Sequence, residues 1–144
     1  MGQQQLLLLV LSTIIVGVSI VVGIGMFQDS AMNANIDTVT QECVTIASKA
    51  SEWFNKSTAL AGGNGDFTDL TLEKLGYSVT ANDSVSNETG QFGIVGTASG
   101  TSVGFAGLTK EVDDTNKGRI VTTTLTMDAI NGSATIVSVV SVQP

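Results

Sequence analysis

Few residues of this chain are equipped for chemistry, and their types exclude most of it. There is no histidine, which removes the commonest general base and the commonest metal ligand. Cys43 is the only cysteine, so no intrachain disulfide can form. It falls on an apolar stripe, where a thiol acts as a small, inert hydrophobe. The run Asp113-Asp114-Thr115-Asn116-Lys117-Gly118 is acidic, but Thr115 and Lys117 stand where a calcium loop needs ligands, so a solvated turn is expected. No nucleophile–base pair and no phosphate-binding loop is present. The chain is therefore not expected to be an enzyme, and no cofactor or metal is expected. One chemistry fits the pattern: Asn-x-Ser/Thr acceptors occur at Asn55, Asn82, Asn87 and Asn131, against about two by chance. These are candidate glycosylation sites on a surface protein.

The charge balance narrows the partners. Thirteen acidic and six basic residues give a net charge of −7 in 144 residues. That argues against nucleic acid or anionic lipid headgroups as partners and suits an exposed surface. The length points to one modest folded unit.

The elements that position these residues begin with "MGQQQLLLLVLSTIIVGVSIVVGIGMFQDS". From Leu6 to Phe27 the run is broken only by Ser12, Thr13, Ser19 and three glycines. As a helix it reaches about 33 Å, enough to cross a bilayer core. No Lys or Arg precedes it, it is too long for a signal-peptide core, and no small-x-small cleavage site follows. Gly2 is not a myristoylation site, because Leu rather than Ser or Thr stands at position 6. A membrane-spanning helix is expected, with its N-terminus inside and the polar body outside. Thr13 and Gly17 are four apart, and so are Ser19 and Gly23; small residues at that spacing let helices approach closely in lipid. Gly23 and Gly25 also weaken the helix locally, and Gly25 is grouped with these residues as a candidate assembly position.

Beyond the apolar run, Ile36, Val39, Cys43, Ile46, Ala50 and Trp53 recur at spacings of 3, 4, 3, 4 and 3. Polar residues lie between them, which predicts an amphipathic helix continuing through about Lys56. Gly62-Gly63-Asn64-Gly65 supplies the stop. One helix from Gln3 to Lys56 would be about 80 Å long. Residues 59–90 read as loop, with a short helix near Leu70–Leu75. From Gly90 the pattern turns to β, with strands on either side of Ser99-Gly100 and on either side of Ala129-Ile130-Asn131-Gly132. Val121, Thr123, Leu125 and Met127 would share a face, and so would Ala134, Ile136, Ser138, Val140 and Val142. The expected fold is α+β: one long N-terminal helix packed on an antiparallel sheet of about four strands. The organisation is 1–28 apolar helix half, 29–58 amphipathic half, 59–90 loop and 91–144 β domain.

This organisation resembles the type IV pilin family, and "MGQQQLLLLVLSTIIVGVSIVVGIGMF" looks like its N-terminal segment, most like divergent members with a Gly-Gln-rich start. The resemblance implies a segment that anchors the subunit in the membrane and then forms a filament core. It also implies a prepilin peptidase, a pilus assembly machinery and a homo-oligomer of identical subunits at the cell surface. The chain departs from the familiar pattern. If cleavage follows Gly2, the residue five into the mature chain is Leu7; if the mature chain starts at Met1, it is Gln5. Neither is the family's glutamate. Gly23 and Gly25 lie where the family often has a proline. Gln3, Gln4 and Gln5 are then expected to dock between helices, where a neutral amide is desolvated at less cost than a carboxylate. The expected function is a structural filament subunit. The alternatives are a membrane-anchored surface binding domain, a minor pilin or pseudopilin, and an archaeal pilin-like subunit.

Overall fold

The computed structural model describes residues 2–80, 83–112, 118–127 and 133–142. A single helix, α1, runs over Gly2–Asn55, 54 residues. Its polar interruptions are satisfied within the helix: the Ser12 hydroxyl donates to the Leu9 carbonyl, Thr13 to Val10 and Ser19 to Ile15, each at 2.8 Å. That is how hydroxyls are carried by an apolar helix without orphaned donors. The C-terminus of α1 is capped by the chain that follows it. Gly63 N–H donates to the Trp53 carbonyl and Gly65 N–H to that of Phe54, each at 2.9 Å. These bonds satisfy carbonyls that a helix end otherwise leaves open. At Gly63 a side chain is excluded, since a Cβ would lie 2.3 Å from the Trp53 ring. The glycine cluster is thus a cradle for the helix end.

Five strands follow: β1 Ser84–Ser86, β2 Gly90–Ser99, β3 Ser102–Val112, β4 Gly118–Met127 and β5 Ala134–Val142. They form one antiparallel meander in the order β1-β2-β3-β4-β5. The fold is α+β, with five strands where four were expected. The added strand is β1, three residues inside 59–90, too short to show an alternating pattern. The short helix expected near Leu70–Leu75 is replaced by turns, with Leu75 N–H bonded to the Leu72 carbonyl and Gly76 N–H to that of Glu73. Gly76 has φ +85, a left-handed conformation that stops a helix from propagating. The expected turn at residues 129–132 and the acidic run at 113–117 lie outside the described residues, as do the side chains of Thr97, Glu111, Val112 and Val142.

The core lies between α1 and one face of the sheet. Val39, Cys43, Ala47 and Ala50 are fully buried, facing Phe92, Val103, Phe105, Val121 and Leu125. Contact is closest at Gly107, where a Cβ would come within 2.6 Å of Val39 Cγ1 and 2.9 Å of Cys43 Sγ. A glycine there brings the backbones of helix and strand together. The segment after α1 closes one side: Phe67 stacks against Phe54 at 4.6 Å between ring centroids, and Leu70 and Leu72 join the same core.

The other side is left open. Ile136 and Val140 pair with Leu125 and Val121, so they share the helix-facing side of the sheet. They are nevertheless 36% and 45% exposed. The outer strands of a five-stranded sheet stand about 19 Å apart, whereas a helix is about 10 Å wide. α1 lies chiefly over β3 and β4 and reaches β5 only in part, so the edge strand keeps much of its surface exposed.

Candidate functional site

The apolar half of α1 is a surface without intramolecular partners. The large side chains from Leu6 to Phe27 are between half and four-fifths exposed, from 50% at Val10 to 79% at Phe27. The helix is long and apolar enough to cross a membrane. Water alone does not accommodate a contiguous apolar surface of this size.

Within it, Gly17, Gly23 and Gly25 have open space where a Cβ would be built. Nothing inside the chain demands glycine at these positions. Thr13 and Ser19 have spent their hydroxyl protons on their own helix, so toward a neighbour they offer small size rather than a donor. Gln3, Gln4 and Gln5 occupy the first turns of α1 and are exposed. Gln3 adjoins a shallow apolar strip formed by Leu6, Leu7, Val10 and Ile14.

The stripe on the second half faces inward. Val39, Cys43, Ile46, Ala50 and Trp53 are buried, and Ile36 is partly so. The structure adds Ala47 and Phe54 to this face. Ala47 lies one turn after Cys43, and its spacing gives it away, but an alanine carries little hydrophobic signal. The Trp53 indole N–H donates to the Ala61 carbonyl at 2.9 Å, which ties the helix end to its capping loop. Burial pushes the Cys43 thiol up to about 11, opposed by a hydrogen bond from Thr123. The adjacent Thr123 and Ser138 hydroxyls are 2.8 Å apart.

Two of the four glycan acceptors lie among the described residues, and both are exposed. Asn55 closes α1, its amide donating to the Ser51 carbonyl at 3.0 Å. Asn87 is held in a tight turn. Its Oδ1 accepts from the Thr89 hydroxyl at 2.7 Å and from the Thr89 N–H at 3.0 Å, while its Nδ2 donates to Glu42 at 2.7 Å. The Asn87 amide is thereby a strut between the β1–β2 turn and α1, a role the sequence did not suggest. Asn82 and Asn131 lie outside the described residues. Among the described residues no cluster of three or more His, Cys, Asp or Glu is placed to hold a metal.

Asp66 heads the other polar arrangement. It accepts from the Thr68 hydroxyl and, at 2.8 Å, from the Thr68 N–H. These bonds hold its carboxyl below the usual range. The geometry is that of a turn cap. Lys49 Nζ lies 4.2 Å from the centre of the Tyr77 ring, a contact that fastens the loop after α1 to the helix.

No protein-family model, no curated protein and no solved structure matches this chain. The functional reading therefore rests on the division of α1 into an uncovered apolar half and a half covered by the sheet.

Proposed function

We propose that this chain is a pilin-like structural subunit, held in the membrane by the first half of α1 and then polymerised into an extracellular helical filament. In that filament the apolar helix halves form the core and the sheet-bearing heads form the sheath. The observation that carries the reading is the continuity of α1. A single helix of 54 residues joins an uncharged half whose large apolar side chains are exposed to a half that buries one face in the head. Such a rod can lie in lipid or in a bundle of its own kind, exchanging one apolar environment for another. The small residues at Thr13, Gly17, Ser19 and Gly23 support close helix–helix approach.

Electron microscopy of filaments sheared from cells expressing the chain, with mass spectrometry of the N-terminal peptide, tests the reading. Filaments whose subunit is this chain are expected. A chain that stays monomeric in the membrane, with no filament, would instead be a membrane-anchored surface domain.

A further inference from the structure

From the position and the unmet donor of Arg119 we infer a lipid contact: its guanidinium binds the phosphate of a phospholipid headgroup where α1 leaves the membrane. The inference rests on the membrane-anchored part of the proposed function and adds to it the residue that meets the lipid surface.

The height of the head on α1 comes first. Met32 is the first buried residue of the helix. It follows Phe27, the last residue of the apolar run, by a rise of about 7–8 Å. The polar layer on each face of a bilayer is about 5–8 Å thick. With residues 6–27 across the hydrocarbon, the end of the head nearest the apolar half therefore stands at the level of the headgroups.

The strand register shows which residues form that end. Met127 closes β4 beside the upper part of α1, its Sδ 3.7 Å from Ser51 Oγ. Val121 is paired with Gly107, which lies against Val39 and Cys43. Toward its start β4 thus runs down α1 to the membrane side. Arg119 stands two residues beyond Val121, about 7 Å further along the strand in that direction. It shares the helix-facing side with Val121, because β4 pairs with β5 in unbroken register from Arg119 to Met127. The exposed Lys110 lies at the same level, between the Leu108↔Ile120 and Val112↔Gly118 pairs. The lysines higher on the head are engaged within it: Lys49 lies over the Tyr77 ring and Lys74 donates to the Asp69 carbonyl.

Unmet hydrogen-bonding groups mark the same end of the seam between helix and sheet. Arg119 is half-buried, and its Nε is buried without a hydrogen-bond partner among the described residues. Asn35 Oδ1, one turn below Val39 on the same side of α1, is the other such atom. A buried donor on a charged group is costly to leave unpaired. An acceptor from outside the chain must meet it, and the headgroup layer supplies phosphate oxygens at that height. The planar guanidinium fork fits a phosphate in two parallel hydrogen bonds, and a long side chain reaches it while its stem stays against the head. Zwitterionic lipids carry the phosphate, so the contact does not require a head of net charge −7 to approach an anionic surface. It holds the head at a fixed height above the membrane until the subunit leaves the lipid.

Arg119 is the only arginine of the chain, so arginine labelled with 13C at Cζ marks this one site without any substitution. The full-length chain, reconstituted in phosphatidylcholine bilayers, is examined by solid-state NMR for dipolar dephasing of that carbon by 31P. Dephasing that fits a Cζ–P distance of about 4 Å is expected, as hydrogen bonds of about 2.8 Å require. No dephasing in a chain that floats with the bilayer would overturn the inference, whether water or a carboxylate of a second copy then meets Arg119. In galactolipid bilayers with inorganic phosphate added, no dephasing is expected. Dephasing there would assign the site to free phosphate and overturn the lipid contact. A chain that floats with neither bilayer would strike the membrane-anchored reading itself, so the two failures are distinguishable.

Discussion

At the scale of single residues, Trp53 and Cys43 report most directly on how the helix meets the head. Trp53 is 7% exposed and its indole N–H is bonded to the Ala61 carbonyl. Trp53→Ala removes both packing and that bond, and should cost about 3–5 kcal/mol of head stability. Thermal or urea unfolding of the detergent-solubilised chain measures it, and a change near zero would mean the ring is not packed as described. Cys43 is fully buried beneath the sheet. Its thiol should resist alkylation at pH 8 in the folded chain and react once the head is denatured. The sign of its pH effect follows from a folded-state pKa raised to about 11, with burial the main cause. A raised thiol pKa stabilises the fold below the unfolded-state value and loses that contribution as pH rises toward 11. Melting temperature should therefore fall over that interval, and less steeply in Cys43→Ala.

At the scale of elements, the decisive close approach is α1 over β3. A side chain at Gly107 would press on Val39, Cys43 and the Phe92 ring at once. Gly107→Ala should destabilise the head by about 1–3 kcal/mol through overpacking, read as a lower unfolding midpoint. The apolar half behaves oppositely, since Gly17 has nothing around it within the chain. Gly17→Leu or Ser19→Leu should leave head stability and membrane insertion unchanged and sharply reduce filaments, scored against the subunit level in the membrane. The contrast also explains what was legible in the sequence. The stripe from Val39 to Trp53 was readable because helical periodicity repeats over about four turns. The four long strands were readable because β-branched runs alternate between turns. β1 was not, since three residues carry no period. The exposure of β5 was not either: its alternation is as good as that of β4, and what leaves it open is the width of one helix against five strands. The Asn87–Glu42 strut joins residues 45 apart, and no local pattern announces such a contact.

At the scale of the whole molecule, an uncharged rod carries an acidic head, and the glutamines stand in the rod's first turns, farthest from the head. In the filament reading this arrangement sets which force holds subunits together and which sets their register. A fully buried apolar side chain contributes about 1.5–3 kcal/mol, and the exposed half of α1 offers many of them. One amide hydrogen bond contributes about 0.5–1.5 kcal/mol. Affinity must then come from the apolar surface, with Gln3, Gln4 and Gln5 adjusting how neighbouring helices align. Gln5→Ala leaves that surface intact and removes one set of polar contacts, so filaments should persist, in reduced number. Gln5→Lys places a cation where the packed core has no carboxylate to meet it, since α1 carries no acidic residue before Asp29. An unpaired buried charge costs several kcal/mol, and that penalty recurs at every subunit along the filament. Surface filaments should be nearly absent in Gln5→Lys, at a membrane subunit level equal to the parent. Abundant filaments from Gln5→Lys would place this end of the helix in water, outside the core. Complete loss in Gln5→Ala would make the amide a requirement for assembly and not an adjustment of register.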